Sequence, residues 1–215
     1  MPNSSQNMSV RFPIVELFES LQGEGANVGL PVVFLRLGGC TLSCPWCDTD
    51  YSTYDLLDLE TILSRLSAFS SRCVVITGGE PLDQPSLGVL LTRVKQAGYW
   101  LALETNGLID PSPEFRQMLD YISTSPKAHV SADYLESRMI RLADEVRIVV
   151  DGEVFDFCKR MRTQIKASRY FLSPCDWNGT MNIAETLVLL RRLNVDEPDH
   201  PWRLSLQVHK LIGIR

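Results

Sequence analysis

No stretch of this 215-residue chain approaches the ~20 consecutive apolar residues that a helix needs to cross a bilayer. Residues Met1 to Val10 are polar and lack the basic and apolar regions of a secretory signal. The cytoplasm is therefore the expected location, and residues 1–10 are expected to form a mobile tail ahead of one domain over 11–215. Positive charge is in deficit, with 21 Lys and Arg against 26 Asp and Glu and a net charge of -5. Non-specific nucleic-acid affinity comes from clustered cations, so a small molecule is a better substrate than a tRNA. Histidine is scarce too: of three, His129 and His200 have no companion at a ligand spacing. There is no internal repeat and no low-complexity segment.

What is present describes an ordinary folded α/β chain, 45% hydrophobic and 22% charged. Strand-like runs occur at Ile14 to Phe18, Val32 to Leu37, Cys73 to Ile76, Trp100 to Leu103, Tyr121 to Thr124, Val146 to Val150 and Tyr170 to Leu172. Helical spacing is found over Leu59 to Phe69, Ser86 to Ala97, Pro113 to Leu119, Val154 to Met161 and Ile183 to Leu193. This alternation predicts a largely parallel, curved sheet. About six βα units are too few for a closed eight-stranded barrel, so a partial barrel is expected. Polar clusters at Cys40, Thr77, Glu104, Ser125, Asp151 and Ser173 follow the carboxyl ends of these strands, the face where parallel α/β folds bind ligands.

One of those clusters is Cys40-Thr-Leu-Ser-Cys44-Pro-Trp-Cys47, followed by Asp48 and Thr49. Three thiols in so short a loop can turn toward one metal centre. A fourth would close a zinc or ferredoxin-type site, but Cys73 lies beyond a predicted helix, so one metal position is left for chemistry. The six cysteines are read as reduced, since no signal or small stapled scaffold accompanies them; Cys73, Cys158 and Cys175 read as ordinary buried thiols. Glu19 to Gly25 is a glycine-punctuated polar loop that turn chemistry alone accounts for. Arg36 sits inside an apolar strand and requires a partner, for which a structural ion pair is the simplest answer. Glu104 and Asn106 either serve a cofactor or close a turn.

The Cys40-x3-Cys44-x2-Cys47 loop with Trp46 before its last cysteine resembles the cluster motif of radical S-adenosylmethionine enzymes. Gly78-Gly79-Glu80-Pro81, about thirty residues on, is similar to their second signature. A narrower resemblance, to the 7-carboxy-7-deazaguanine synthase family, rests on Leu21-Gln22-Gly23-Glu24-Gly25, Arg36, Cys47-Asp48-Thr49, Thr77 to Pro81, Ser125-Pro126-Lys127 and Leu206 to Lys210. It implies a radical-enzyme core that contracts 6-carboxy-5,6,7,8-tetrahydropterin with loss of ammonia, using a [4Fe-4S] cluster on Cys40, Cys44 and Cys47, S-adenosylmethionine and Mg2+. It also implies an external flavodoxin- or ferredoxin-type electron donor and a homodimer. By the same resemblance Leu21, Gln22, Gly23, Glu24, Arg36, Thr77 and the carboxylate of Arg215 face the substrate, and Thr49 binds magnesium. S-adenosylmethionine is assigned Trp46, Cys47, Asp48, Gly79, Glu80, Ser125, Pro126, Lys127, Ser173, Pro174, Cys175 and Asp176. Ser173 and Cys175 depart from the family's usual side chains, which favours backbone contacts or Asp176 there. His209 either approaches the substrate or makes a structural hydrogen bond. Two rivals stand beside this reading: an activase that installs a glycyl radical on a partner protein, and a noncatalytic iron-sulfur or zinc module.

Overall fold

The computed structural model describes residues 10–47, 49–195 and 199–215; Asp48 and all but the last residue of the expected tail lie outside them. Eleven strands are found among the described residues: β1 (Arg11–Leu21), β2 (Pro31–Leu37), β3 (Asp55–Asp58), β4 (Cys73–Gly78), β5 (Trp100–Thr105), β6 (Tyr121–Thr124), β7 (Leu142–Val150), β8 (Lys166–Pro174), β9 (Asp176–Trp177), β10 (Thr180–Met181) and β11 (Arg203–Leu204). Six α-helices accompany them: α1 (Leu59–Ser67), α2 (Leu87–Gln96), α3 (Pro113–Met118), α4 (Phe155–Gln164), α5 (Ile183–Asn194) and α6 (Val208–Ile212). One sheet takes nine strands in the order β11-β8-β7-β6-β5-β4-β2-β1-β3. From β11 to β2 every neighbour is parallel, whereas β1 pairs antiparallel with both β2 and β3. The expected six parallel units are therefore present in chain order from β2 to β8, extended at both edges. The edge strands β11 and β3 do not pair with each other, so the curved sheet remains open.

Alternation along β2 shows how sequence sets the two faces. Val33, Leu35 and Leu37 are fully buried in a core with Ile62 and Leu66 of α1 and Leu87, Leu90, Leu91 and Val94 of α2. Each such side chain contributes ~1.5–3 kcal/mol on burial. The intervening residues Val32, Phe34 and Arg36 point to the concave side. A one-residue slip would exchange the two sets and drive Arg36 into hydrocarbon, which fixes the register. A second core under α4 and α5 gathers Val146, Ile148, Val150, Cys158, Met161, Leu172, Leu189 and Leu193.

The helices begin where capping chemistry allows. Asp58 accepts from the Thr61 N–H at 2.8 Å to start α1, and Ser112 caps α3 ahead of Pro113. The concave side of the sheet is layered. Its floor is apolar, made by Val32, Val75 and Ala102 with Trp100 and Tyr121 against them. Above the floor, Thr77, Glu104, Ser123, Glu145 and Arg147 form a polar deck, and beyond it the strand ends open into the cleft. No described helix is long and apolar enough to cross a membrane.

A candidate radical-enzyme cleft at the strand ends

A cavity of about 290 Å3 lies over the carboxyl ends of the parallel strands. Cys40, Cys44 and Cys47 line it together with Trp46, Thr49 and Gly79. Leu21, Gln22, Glu24, Arg36 and Thr77 line it from the other side. Ser125 and Lys127, then Ser173, Pro174 and Asp176, complete the wall, and Arg215 reaches the mouth. Of the residues singled out in the sequence, Gly23, Glu80, Pro126 and Cys175 do not line the cavity, and Asp48 lies outside the described residues.

The cysteine loop is bound to β4 by its backbone. Glu80 N–H donates to the Gly39 carbonyl at 3.0 Å, and Gly79 N–H donates to Leu37 at 2.9 Å. The approach is so close that a Cβ on Gly79 would stand 1.5 Å from the Gly39 oxygen. Within the loop, Cys40 Sγ accepts from Leu42 N–H at 3.4 Å, while Cys47 Sγ contacts the Tyr51 hydroxyl at 3.4 Å. Burial pushes the thiols of Cys40 and Cys44 above their ordinary values, opposed at Cys44 by the nearby Lys127 ammonium. No three His, Cys, Asp or Glu side chains among the described residues already converge on a metal position. The donor set nevertheless suits an iron-sulfur cluster: three thiols on one loop facing one cavity, with a cation beside them.

Trp46 is held on three sides. Its indole N–H donates to Asp151 Oδ2 at 3.0 Å, Lys127 Nζ lies 5.1 Å from the ring centre, and His129 meets it edge-on. His129, which has no companion at a ligand spacing in the sequence, thus packs against the cysteine loop. Burial lowers the pKa of Lys127, with Cys44 acting in the opposite direction, and its ammonium donates to Ser125 Oγ at 2.7 Å.

Glu80 is only 2% exposed and sits behind the wall. One oxygen accepts from Leu82 N–H and the Thr105 hydroxyl, the other from Asn106 N–H. Burial raises its pKa. The carboxylate thereby joins the end of β4 to the end of β5. Two buried polar atoms of the wall, Asn106 Nδ2 and Ser173 Oγ, have no protein partner, and buried groups of that kind ordinarily find one. Asn106 also closes its turn, accepting from Leu108 N–H. Cys175 is buried, with its thiol pushed up to about 11 by burial, and its backbone N–H goes to Asn182.

The Gln22-Gly23-Glu24-Gly25 loop has contacts that explain each residue. Gln22 donates to Glu104 at 3.2 Å and accepts from Glu24 N–H at 3.1 Å, using both ends of its amide. Gly23 leaves room for His209, whose ring a Cβ there would overlap, and its carbonyl accepts from Val208 N–H. Gly25 has φ +68° and lies against Glu145, which also accepts from Ala26 N–H at 2.8 Å. Beneath this loop Arg147 reaches Glu24 and Glu104 at 2.6 Å each and Glu145 at 3.2 Å. Thr77 donates to the remaining oxygen of Glu104 at 2.9 Å.

Arg36 has a protein partner: its Nε pairs with Glu16 Oε1 at 2.6 Å. The simpler expectation of an ion pair therefore describes Arg36 here. The other oxygen of Glu16 pairs with Arg215, whose guanidinium lies 4.6 Å from the Phe18 ring centre, and whose carbonyl oxygen accepts from Ser20. Arg147 lines the site but was not singled out in the sequence, where Glu104 was read as serving a cofactor or closing a turn and Gln207 only as part of the Leu206 to Lys210 run; Glu16, which holds Arg36 without lining the cavity, was not singled out either. The only available signal was a charge inside an apolar strand, legible for Arg36 and equally present at Arg147.

Residues 35–172 match the Radical SAM superfamily, and a parallel sheet with a three-cysteine loop over its carboxyl ends is the arrangement of that class. The superfamily implies a [4Fe-4S] cluster and S-adenosylmethionine. The chain is 52% identical to 7-carboxy-7-deazaguanine synthase of Neisseria meningitidis serogroup B, covering 95% of this chain and 94% of that one. It is 49% identical to the enzyme of the same name from Haemophilus influenzae, with 94% of each covered. It belongs to the 7-carboxy-7-deazaguanine synthase family. The crystal structure of QueE from Escherichia coli has the same fold, with TM-score 0.69 over 96% of this chain and all of that one at 24% identity.

Proposed function

We propose that this protein catalyses the radical S-adenosylmethionine-dependent ring contraction of 6-carboxy-5,6,7,8-tetrahydropterin to 7-carboxy-7-deazaguanine, with loss of ammonia, in deazapurine and queuosine biosynthesis. The observation that carries this reading is the meeting, in one cavity, of a three-cysteine loop and a wall of fixed acceptors and donors, in a chain 52% identical to a synthase of that name. A [4Fe-4S] cluster on Cys40, Cys44 and Cys47, together with S-adenosylmethionine, supplies hydrogen-atom abstraction at carbon when bound.

The chain's own residues orient the reactants and keep water out. Gln22, Glu24 and Thr77, with the backbone of Leu21 and Gly23, read the pterin edge. Arg36 offers its guanidinium to the substrate carboxylate in exchange for Glu16, while the Arg215 carboxylate stands near the mouth. Thr49 would hold Mg2+ through its hydroxyl, and the metal would there neutralise the charge of the substrate carboxylate. For S-adenosylmethionine, Trp46, Cys47, Gly79, Ser125 and Lys127 lie on the cysteine side, and Ser173, Pro174 and Asp176 opposite; Glu80, Pro126 and Cys175 act by holding those segments in place, and Asp48, next to Cys47 in sequence, is assigned to the same ligand. The orphaned Ser173 Oγ supports a side-chain contact at that position.

The same reading places one radical-enzyme domain over 11–215, with a cytoplasmic setting, a flavodoxin- or ferredoxin-type donor and a homodimer. The test is anaerobic reconstitution with iron, sulfide, reductant, S-adenosylmethionine and Mg2+. Formation of 7-carboxy-7-deazaguanine from the pterin, seen by mass spectrometry, is expected. A protein with a full cluster that makes none is not this enzyme.

A further inference from the structure

Arg147 is 6% exposed and lies on β7 at the centre of the polar deck. Each of its three nitrogens is engaged: Nη1 with Glu24, Nη2 with Glu104, and Nε with Ser123 Oγ at 3.0 Å and Glu145 at 3.2 Å. A planar fork can bridge two carboxylates at fixed separation, which a lysine ammonium cannot. The two bridged carboxylates come from segments eighty residues apart, and both line the cavity. The remaining oxygens are also assigned donors, Gln207 on Glu24 and Thr77 on Glu104.

We propose that Arg147 is the positioning residue of the substrate pocket, holding Glu24 and Glu104 side by side as an acceptor pair for the N–H donors of the pterin's 2-amino-4-oxo edge. This rests on the pterin reading given above. An ionised carboxylate only accepts hydrogen bonds, whereas a protonated one also presents a donor, so the ionised pair discriminates against rings that present a carbonyl where the pterin presents an amino group. The groups facing Glu104 are Glu24 from the loop, Thr77 from β4, and Arg147 and Glu145 from β7. From β6 comes Tyr121, whose hydroxyl donates to Glu145, and from the loop after β6 comes Lys127, which acts electrostatically on Arg147 and Glu24. Burial raises the carboxyl of Glu104, but the charge and hydrogen bond of Arg147, together with the hydrogen bonds of Thr77 and Gln22, outweigh it and leave the value below the ordinary one. Removing the guanidinium raises that value, so the acidic limb of kcat/KM moves to higher pH.

The test compares wild type, Arg147→Met and Arg147→Lys for cluster content, S-adenosylmethionine cleavage without pterin, and kcat/KM for the pterin across pH. In Arg147→Met, KM is expected to rise about tenfold or more and the acidic limb to move up by about one pH unit, while cleavage without pterin stays within about twofold of wild type. Arg147→Lys restores the acidic limb but not KM, because it supplies charge without the fork. A variant with an intact cluster and wild-type KM overturns the proposal, as does loss of pterin turnover and pterin-free cleavage in parallel. If Arg147→Met does not fold, the KM of Arg147→Lys decides. Wild-type protein that forms no deazaguanine overturns the functional reading itself; active wild type with unchanged variants overturns only the role of Arg147.

Discussion

Replacing Gly79 by alanine separates the cysteine loop from the sheet that carries it. The added Cβ would lie 1.5 Å from the Gly39 carbonyl oxygen and 2.9 Å from the Cys40 nitrogen, both backbone atoms, where real contacts are essentially never below 3.0 Å. Strand β4 and the loop must therefore part by about 1.5 Å. That movement breaks the Glu80 N–H bond to Gly39, and strains the Gly79 N–H bond to Leu37. Each bond is worth ~0.5–1.5 kcal/mol net, with more lost when a buried partner is left unpaired, so about 2–4 kcal/mol of stability is expected to go. The catalytic loss is larger, since a misplacement of about 1 Å can cost ~10²-fold in rate. The assay is denaturant unfolding of the apo-protein, then iron and sulfide content and 5'-deoxyadenosine release after reconstitution. Gly98→Ala is the control: φ is +85° but nothing lies within 4 Å, so it loses only the ~1–2 kcal/mol of a left-handed residue and keeps its cluster. A Gly79→Ala protein that binds full iron and cleaves S-adenosylmethionine within about twofold of wild type would show that the close approach of Gly79 to Gly39 has no part in holding the loop.

Two further outcomes follow from the cavity wall. Thr49→Ala is expected to weaken the response of turnover to magnesium while leaving cluster absorbance unchanged; an unaltered magnesium titration removes Thr49 from the metal site. Deleting Arg215 frees Glu16 from one of its two arginines and uncovers Phe18, so pterin KM should rise with the unfolding midpoint little changed, as a surface ion pair contributes only ~0–1 kcal/mol. An unchanged KM would assign the last residue no part in the pocket.

The parallel run from β2 to β8 was legible in the sequence because each strand is a short β-branched run ending in a polar cluster. The edges were not. Pro13 hides the full length of β1, yet it falls just beyond the residues paired with β2, next to a register shift between Ile14 and Glu16 that accommodates it. Asp55–Asp58 is too short to show a period and becomes β3 only by pairing with β1, and α6 leaves Leu211 and Ile212 exposed, so it has no apolar face to read. In the site, the cysteines and glycines were readable because spacing and backbone demands are local. Arg147 and Glu16 were not, because a charge in a strand announces that it needs a partner without saying which, and Glu104 was legible only as a strand-end group with two possible uses. For Arg36 that partner is a carboxylate twenty residues earlier on the neighbouring strand.

The mouth of the cleft is stitched from opposite ends of the chain. Ser205 accepts from Gly25 N–H, Val208 N–H donates to Gly23, and Gln207 reaches Glu24, across 180 or more residues. Contacts so distant carry the greatest loop-closure cost and form after the intervening sheet has ordered. During synthesis, the loop bearing Cys40, Cys44 and Cys47 leaves the ribosome long before residues 203–215. The substrate side of the cleft is therefore closed last, by contacts from residues 205–208 to residues 23–25, onto a cysteine loop and sheet that are already formed.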